Sequence, residues 1–461
     1  MRKALILLFF LLPASGMWLS CGGGPSGTTT TSGIKNRAFV TNNVSSGTGV
    51  AGVYIVNADI DVRATTTPIS VGNTPVMMVL TPNRAQTLVF SGNGTQFSDN
   101  QFSIVNNAAE AAPSHLTLPG MTESFVVSPD SSTAYIAVPT AKVIGQPQGI
   151  VEAILLGSGS ITGVADVPAV HYLSISNGGS RLLGFSDNSD AVAVVNTSLI
   201  ATGNAVTSVV GFDRPVAAFF SSDDSTAYVL NCGAECGGTQ ASLQQLDLTD
   251  NAPVGRAIPI CTVDDTQTQQ CAGSTFLVVG QTMYIAGTPF SAGAGPSLLC
   301  SAGTATTQAT YCGMLAAFDL NKMQVINTAP IVITDGYHNR MAMAANGQLF
   351  IGARTCTEIS TTTETRGCLS IYNTLPATTL GTVPPGGVLI PPQNGDVTGI
   401  QPIAKRPIAY VIQGQGVPQG GSLFIYDATT DALENNPNDP NNPGHINGLV
   451  GNFFDVKAVD F

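Results

Sequence analysis

An all-β fold is predicted by three observations. One short pattern recurs eight times between residue 36 and the C-terminus: an apolar strand, a polar loop, then a partner strand that usually closes on Asn or Asp. Residues 36–461 give about 53 residues per recurrence, enough for four short strands each. Turn-forming Pro, Asp, Asn and Gly sit between the strands, at the places where hairpins need them. Together these predict a single β-propeller of eight four-stranded blades, with seven as the alternative if one weak unit is an insertion.

The second strand of each unit reads AFVTN (38–42), TLVFS (87–91), AYIAV (134–138), LLGFS (182–186), AYVLN (227–231), MYIAG (283–287), LFIGA (349–353) and AYVIQ (409–413). Their centres, from Phe39 to Tyr410, are spaced by 50, 46, 48, 45, 56, 66 and 60 residues. The partner strands close on Asn57, Asn106, Asn196, Asp247, Asp319, Asn373 and Asp427, and the unit at 152–156 departs from the pattern. Upstream apolar runs such as FVVSPDSS (125–132) and VAAFFSSDDS (216–225) supply the first strand of a unit and its turn. The first unit lacks such a strand, and Phe453–Phe461 reads as one without a following hairpin. Pairing it with the N-terminal blade is expected to close the ring and remove open sheet edges.

The N-terminus divides from this body. Arg2 and Lys3 precede an apolar run from Ala4 to Leu12, and small residues lead to Cys21, the pattern of an export signal over residues 1–20. Residues 21–35, which include GGGPSGTTTTSG, read as a flexible tether, and 36–461 as the propeller domain. The arrangement resembles a bacterial lipoprotein. That resemblance implies lipidation of Cys21, and Gly22 after it implies an outer-membrane destination facing the periplasm or the cell surface. Secretion after cleavage behind Ala14-Ser15-Gly16 is the alternative.

Nine cysteines become eight once Cys21 is set aside, an even number in an exported chain. They fall as close pairs, 232/236, 261/271, 300/312 and 356/368, each bracketing one polar loop. Local disulfides between Cys232 and Cys236, Cys261 and Cys271, Cys300 and Cys312, and Cys356 and Cys368 are therefore expected. In an up-and-down blade these loops emerge on one face, over three consecutive units whose spacings are also the widest. Lengthened and stapled loops on one rim suit binding, and equally suit protection from proteolysis.

The strands AFVTN, AYIAV and AYVLN, with turns such as SPDSS, resemble the YVTN-type bacterial propeller repeat; Phe39, Val40, Thr41 and Asn42 match its tetrapeptide but for the ring hydroxyl. The resemblance covers the chain beyond residue 35. It implies a propeller at the cell surface or in the envelope, and by pattern it is similar to lactonase-type propellers.

Several functions are disfavoured by what the sequence lacks. No GxGxxG after a strand, GxxxxGK[ST], HExxH or sialidase-type Asp box occurs. The single Trp lies in the signal and no Cys-Cys pair exists, against a quinone-dependent dehydrogenase. Without Arg2 and Lys3 the chain carries 15 basic and 29 acidic residues, a balance of −14, the wrong sign for nucleic acid. No cofactor is implied, no metal set has ligand spacing, and ENNPNDPNNPG (434–444) reads as a turn-rich surface loop. The polar candidates at the channel mouth are Glu123, His171, Asp213, Arg214, His338 and Arg340, at the starts of inner strands. The expected function is a lipid-anchored, non-catalytic envelope module that presents stapled loops to a protein or glycan. A lactonase-type hydrolase at the channel mouth is the alternative.

Overall fold

The computed structural model describes residues 31–43, 49–92, 99–260, 272–289, 313–327, 331–357, 359–360, 365–393, 395–414, 420–434 and 443–460. The signal segment and Cys21, along with Cys261, Cys271, Cys300 and Cys312, lie outside them. No helix among the described residues is long and apolar enough to cross a membrane.

All eight predicted second strands and their partners form antiparallel pairs, from Arg37–Asn43 with Gly52–Asn57 to Ile408–Gly414 with Gly421–Asp427. Their closing Asn and Asp have a physical cause. In seven units that side chain accepts the backbone N–H two or three residues on, as Asn57 does from Asp59 (3.0 Å), Asn106 from Ala109 (2.9 Å), Asp247 from Thr249 (2.7 Å) and Asp427 from Thr429 (2.6 Å). This is the Asx turn that reverses the chain into the outer strand. The turns between first and second strands repeat a chemistry too: Ser128 and Asp130, like Ser221 and Asp223, bond the turn's own backbone. The residue that follows each Asp is left-handed, Ser131 at φ 63° and Asp224 at φ 56°.

The expectation of eight separate blades is corrected. Among the described residues there are seven sheets of four or more strands, the alternative count, and one two-stranded ribbon. The first and last units are merged by the strand Asn452–Ala458 into one eight-stranded sheet. That strand pairs with Arg37–Asn43 from Ala38↔Ala458 to Asn43↔Asn452, and meets the last unit at the single pair Gly421↔Phe453. The merger rests on close approach at Gly420, where a Cβ would come 2.8 Å from the Phe454 ring and 3.0 Å from the Asn452 backbone.

The core lies between the faces of adjacent sheets, where Phe39, Phe90, Phe102, Phe185, Phe318, Phe350, Tyr410 and Tyr426 are sealed from solvent. Polar side chains tie neighbouring innermost strands at their backbones. Ser124 accepts Leu173 N–H (3.0 Å), Ser174 accepts Ala218 N–H (3.2 Å), and buried Asp455 accepts Met78 N–H (2.8 Å).

Candidate functional site

One irregularity recurs where the innermost strands begin. The pairing with the second strand slips between Pro75 and Met77, Val170 and Tyr172, Pro215 and Ala217, His338 and Arg340, and Val397 and Gly399. Each slip inserts one residue, and bulges of this kind turn a side chain out of the regular alternation. The inserted residues Val76, His171, Val216, Asn339 and Thr398 all line one of two cavities on the ring axis.

The outer cavity, about 580 Å³, is the channel mouth. The imidazole of His171 lies between two carboxylates, with Nε2 3.2 Å from Glu123 Oε2 and Nδ1 2.8 Å from Asp187 Oδ2. Its ring stacks on Tyr172 at 4.7 Å. The hydrogen bond to Glu123, aided by Asp187, raises the His171 pKa to about 9, and the same bond holds Glu123 below the usual carboxylate range. A raised histidine pKa stabilises the fold fully below the unfolded value near 6.5 and is lost as pH rises through about 9. Wild type should therefore lose on the order of 2 kcal/mol more than H171Q between pH 6 and pH 9.5, after allowance for solvent screening, in urea titrations at both pH values.

Below the mouth, Tyr172 and Tyr337 join their hydroxyls at 2.5 Å from opposite parts of the ring, 165 residues apart. Both hydroxyls are shifted upward by burial. Glu123, Tyr172, Val216, Ser274, Tyr337 and Arg354 line both cavities and so form the neck between them. The inner chamber, about 370 Å³, takes residues from the innermost strand of each of the seven larger sheets, or from just before it.

Of the residues expected at the mouth, Glu123 and His171 meet. Arg214 lines the mouth and lies 3.5 Å from Asp190. Arg340 lines the inner chamber, donating to the Thr398 and Asn339 carbonyls (2.9 and 3.0 Å). Asp213 is turned to a loop instead, accepting Thr239 N–H (2.9 Å) and Gln240 N–H (2.8 Å). His338 is sealed: Nε2 donates to the Thr334 carbonyl (2.9 Å), burial depresses its pKa to about 4, and a Cβ on Gly313 would approach its Cε1 to 2.8 Å. Although His338 borders the inner chamber, its ring is spent on this carbonyl contact and is sealed from solvent.

Two of the expected disulfides fall within the described residues, Cys232–Cys236 and Cys356–Cys368. Both border the mouth, since Cys236 lines it, as does Thr355 beside Cys356. Carboxylates at the starts of inner strands hold these loops. Asp213 grips the first; Asp335 accepts Thr357 N–H (2.8 Å) and Asp396 accepts Thr355 N–H (2.6 Å) in the second. The first staple also carries Glu235, whose Oε2 accepts Thr288 N–H (3.1 Å) and whose carboxyl is pushed up to about 7 by burial.

Reading only the charged residues at the starts of inner strands misses Asp187, Arg354 and Glu235, and passes over Tyr337, which opens one of those strands. Asp187 follows the end of one second strand and Arg354 ends another. In an antiparallel pair that end reaches the same rim as the start of the first strand. The pairing Tyr337↔Arg354, with Arg354 5.9 Å from the Tyr337 ring, shows this directly.

No family model and no curated protein matches the sequence. Solved structures do. The chain is similar to Kuenenia stuttgartiensis hydrazine synthase (14% identity, 80% of this chain, 99% of that chain, TM-score 0.51). It is also similar to the dihydro-heme d1 dehydrogenase NirN in complex with DHE (12% identity, 92% of this chain, 75% of that chain, TM-score 0.55). At such identities the likeness concerns fold alone, and it agrees with sheets grouped about one axis: the chain is a β-propeller.

Proposed function

We propose that the protein is a non-catalytic binding module of the bacterial envelope that receives a protein or glycan partner at the channel mouth. One observation carries the reading: both described disulfides border the cavity where His171, Arg354 and the tyrosine pair converge. Stapled loops pre-pay the ordering that binding would otherwise cost. The signal-like N-terminus, Cys21 and the likeness of residues 39–42 to the YVTN-type repeat support an exported lipoprotein in the outer membrane. The strand pairing of Asn452–Ala458 with Arg37–Asn43 supports a ring closed between its first and last units.

Convergent polar groups at the mouth also suit a lactonase-type hydrolase, the second reading. His171 weighs against it, because an imidazole that keeps its proton to about pH 9 cannot act as a base near neutrality. The two readings separate in one experiment on the full chain, with sedimentation of the protein on peptidoglycan sacculi and outer-membrane vesicles measured for wild type and C356S/C368S. Association with one fraction, weakened at least tenfold without the staple while the thermal midpoint stays within a few degrees, is expected. Association with neither fraction, or turnover of a lactone probe that H171Q abolishes, would overturn the binding reading.

A further inference from the structure

The inner chamber carries the opposite charge to the protein around it. Two guanidiniums, Arg340 and Arg354, line it with one carboxylate, Glu123, and that carboxylate is already held by His171. Neither arginine has an ion-pair partner among the described residues. In a chain of formal charge −12, a cationic chamber on the axis selects for anions.

The polar atoms on this wall are also unspent. Arg354 Nε, Asn339 Oδ1 and Thr398 Oγ1 are buried without a hydrogen-bond partner among the described residues, and all three side chains belong to one side of the chamber. Asn339 and Thr398 are bulge residues, turned there by the register slips of adjacent inner strands. A buried donor on a charged group is costly to leave unmade, and a carboxylate satisfies a guanidinium edge with two parallel bonds. The rest of the lining is different: Met77, Met121, Phe276 and Phe454 are apolar. The volume falls at the low end of small-molecule sites.

We infer that the chamber binds a small organic carboxylate, its charged end on Arg354 and Arg340 beside the Thr398 hydroxyl, and its apolar body against Met77, Phe276 and Phe454. The inference deepens the binding reading above and rests on the same axis, but its ligand is a small molecule and its residues, apart from Arg354 at the neck, lie beneath the mouth. Inorganic anions alone would leave the apolar wall without a partner, and neutral analogues would supply neither a counter-charge nor a two-oxygen acceptor for the guanidiniums.

Titration calorimetry on the full chain tests this with phenylacetate, 2-phenylethanol and inorganic phosphate. Phenylacetate should bind at least tenfold more tightly than either of the others. R354M and R340Q should each weaken it about tenfold, in proteins whose circular dichroism melts remain cooperative. Equal binding of phenylacetate and 2-phenylethanol, wild-type affinity in both variants, or no phenylacetate heat from folded wild-type protein would each overturn the assignment, the last result leaving the polar atoms to ordered water. Arg340 lines the chamber but not the mouth. R340Q should therefore leave sedimentation on envelope fractions unchanged, so failure of the carboxylate site and failure of the mouth reading give different results.

Discussion

A chain truncated before Asn452 should lose its cooperative unfolding transition and aggregate. The strand Asn452–Ala458 is the innermost strand of the first unit, and among the described residues no upstream strand pairs with that edge of Arg37–Asn43. It seals Phe453, Phe454, Val456 and Ala458, and it covers one edge of Arg37–Asn43, every residue of which is buried. Truncating a single buried aromatic costs about 3–5 kcal/mol, so losing two Phe with their neighbours exceeds a typical net stability of about 5–15 kcal/mol. The exposed strand edge would then template association. Size-exclusion chromatography and calorimetry of the truncated chain check this. A monomer melting cooperatively within a few degrees of the full chain would show that the first unit does not depend on that strand.

R406M is expected to cost about 3–5 kcal/mol, the range found when one partner of a buried ion pair is removed. Asp61 is 2% exposed, and both of its oxygens take the Arg406 guanidinium, at 2.7 and 2.6 Å. Tyr410 donates its hydroxyl to the same carboxylate, and Arg406 also reaches the Ala58 carbonyl (2.7 Å) and Glu434 (3.1 Å). The pair thus couples the first and last units, and without the cation two carboxylates face each other in a poorly solvated pocket. D61N/R406M should recover part of the loss, because no ionised group then remains at Asp61. Urea unfolding of the three proteins measures it, and a loss under about 1 kcal/mol in R406M would mean that water replaces the guanidinium.

How much of this was legible beforehand follows from the range of the interactions. Strand identity and turn position were legible because an Asx turn, or a Ser-Pro-Asp-Ser hairpin, is written in four adjacent residues; Asn57 and Asp427 act on backbone two residues away. The unit at 152–156 departs for the same reason, since its turn is closed by the Leu155 carbonyl instead of a side chain. Glu123 and His171 could be named because inner strands start at a recognisable interval. Asp187, the second partner of His171, and Arg354 at the neck needed the antiparallel register, and the bulges that aim Asn339 and Thr398 leave no mark in composition. His338 and Asp213 were named for chemistry that their surroundings spend elsewhere, on a sealed carbonyl contact and on a loop. The count of sheets went to the alternative because one terminal strand serves two units, a contact between residues about 415 positions apart.

Arg37 accounts for a last consequence. Its backbone N–H and its guanidinium both bind the Asp460 carboxylate, at 2.9 and 2.7 Å, so the two extremes of the propeller lie side by side. In the closed ring proposed above, sequential order is therefore a matter of where the chain is cut. Joining position 460 to position 37 and opening a turn between any two other sheets preserves every strand neighbour, which makes the scaffold a natural substrate for circular permutation.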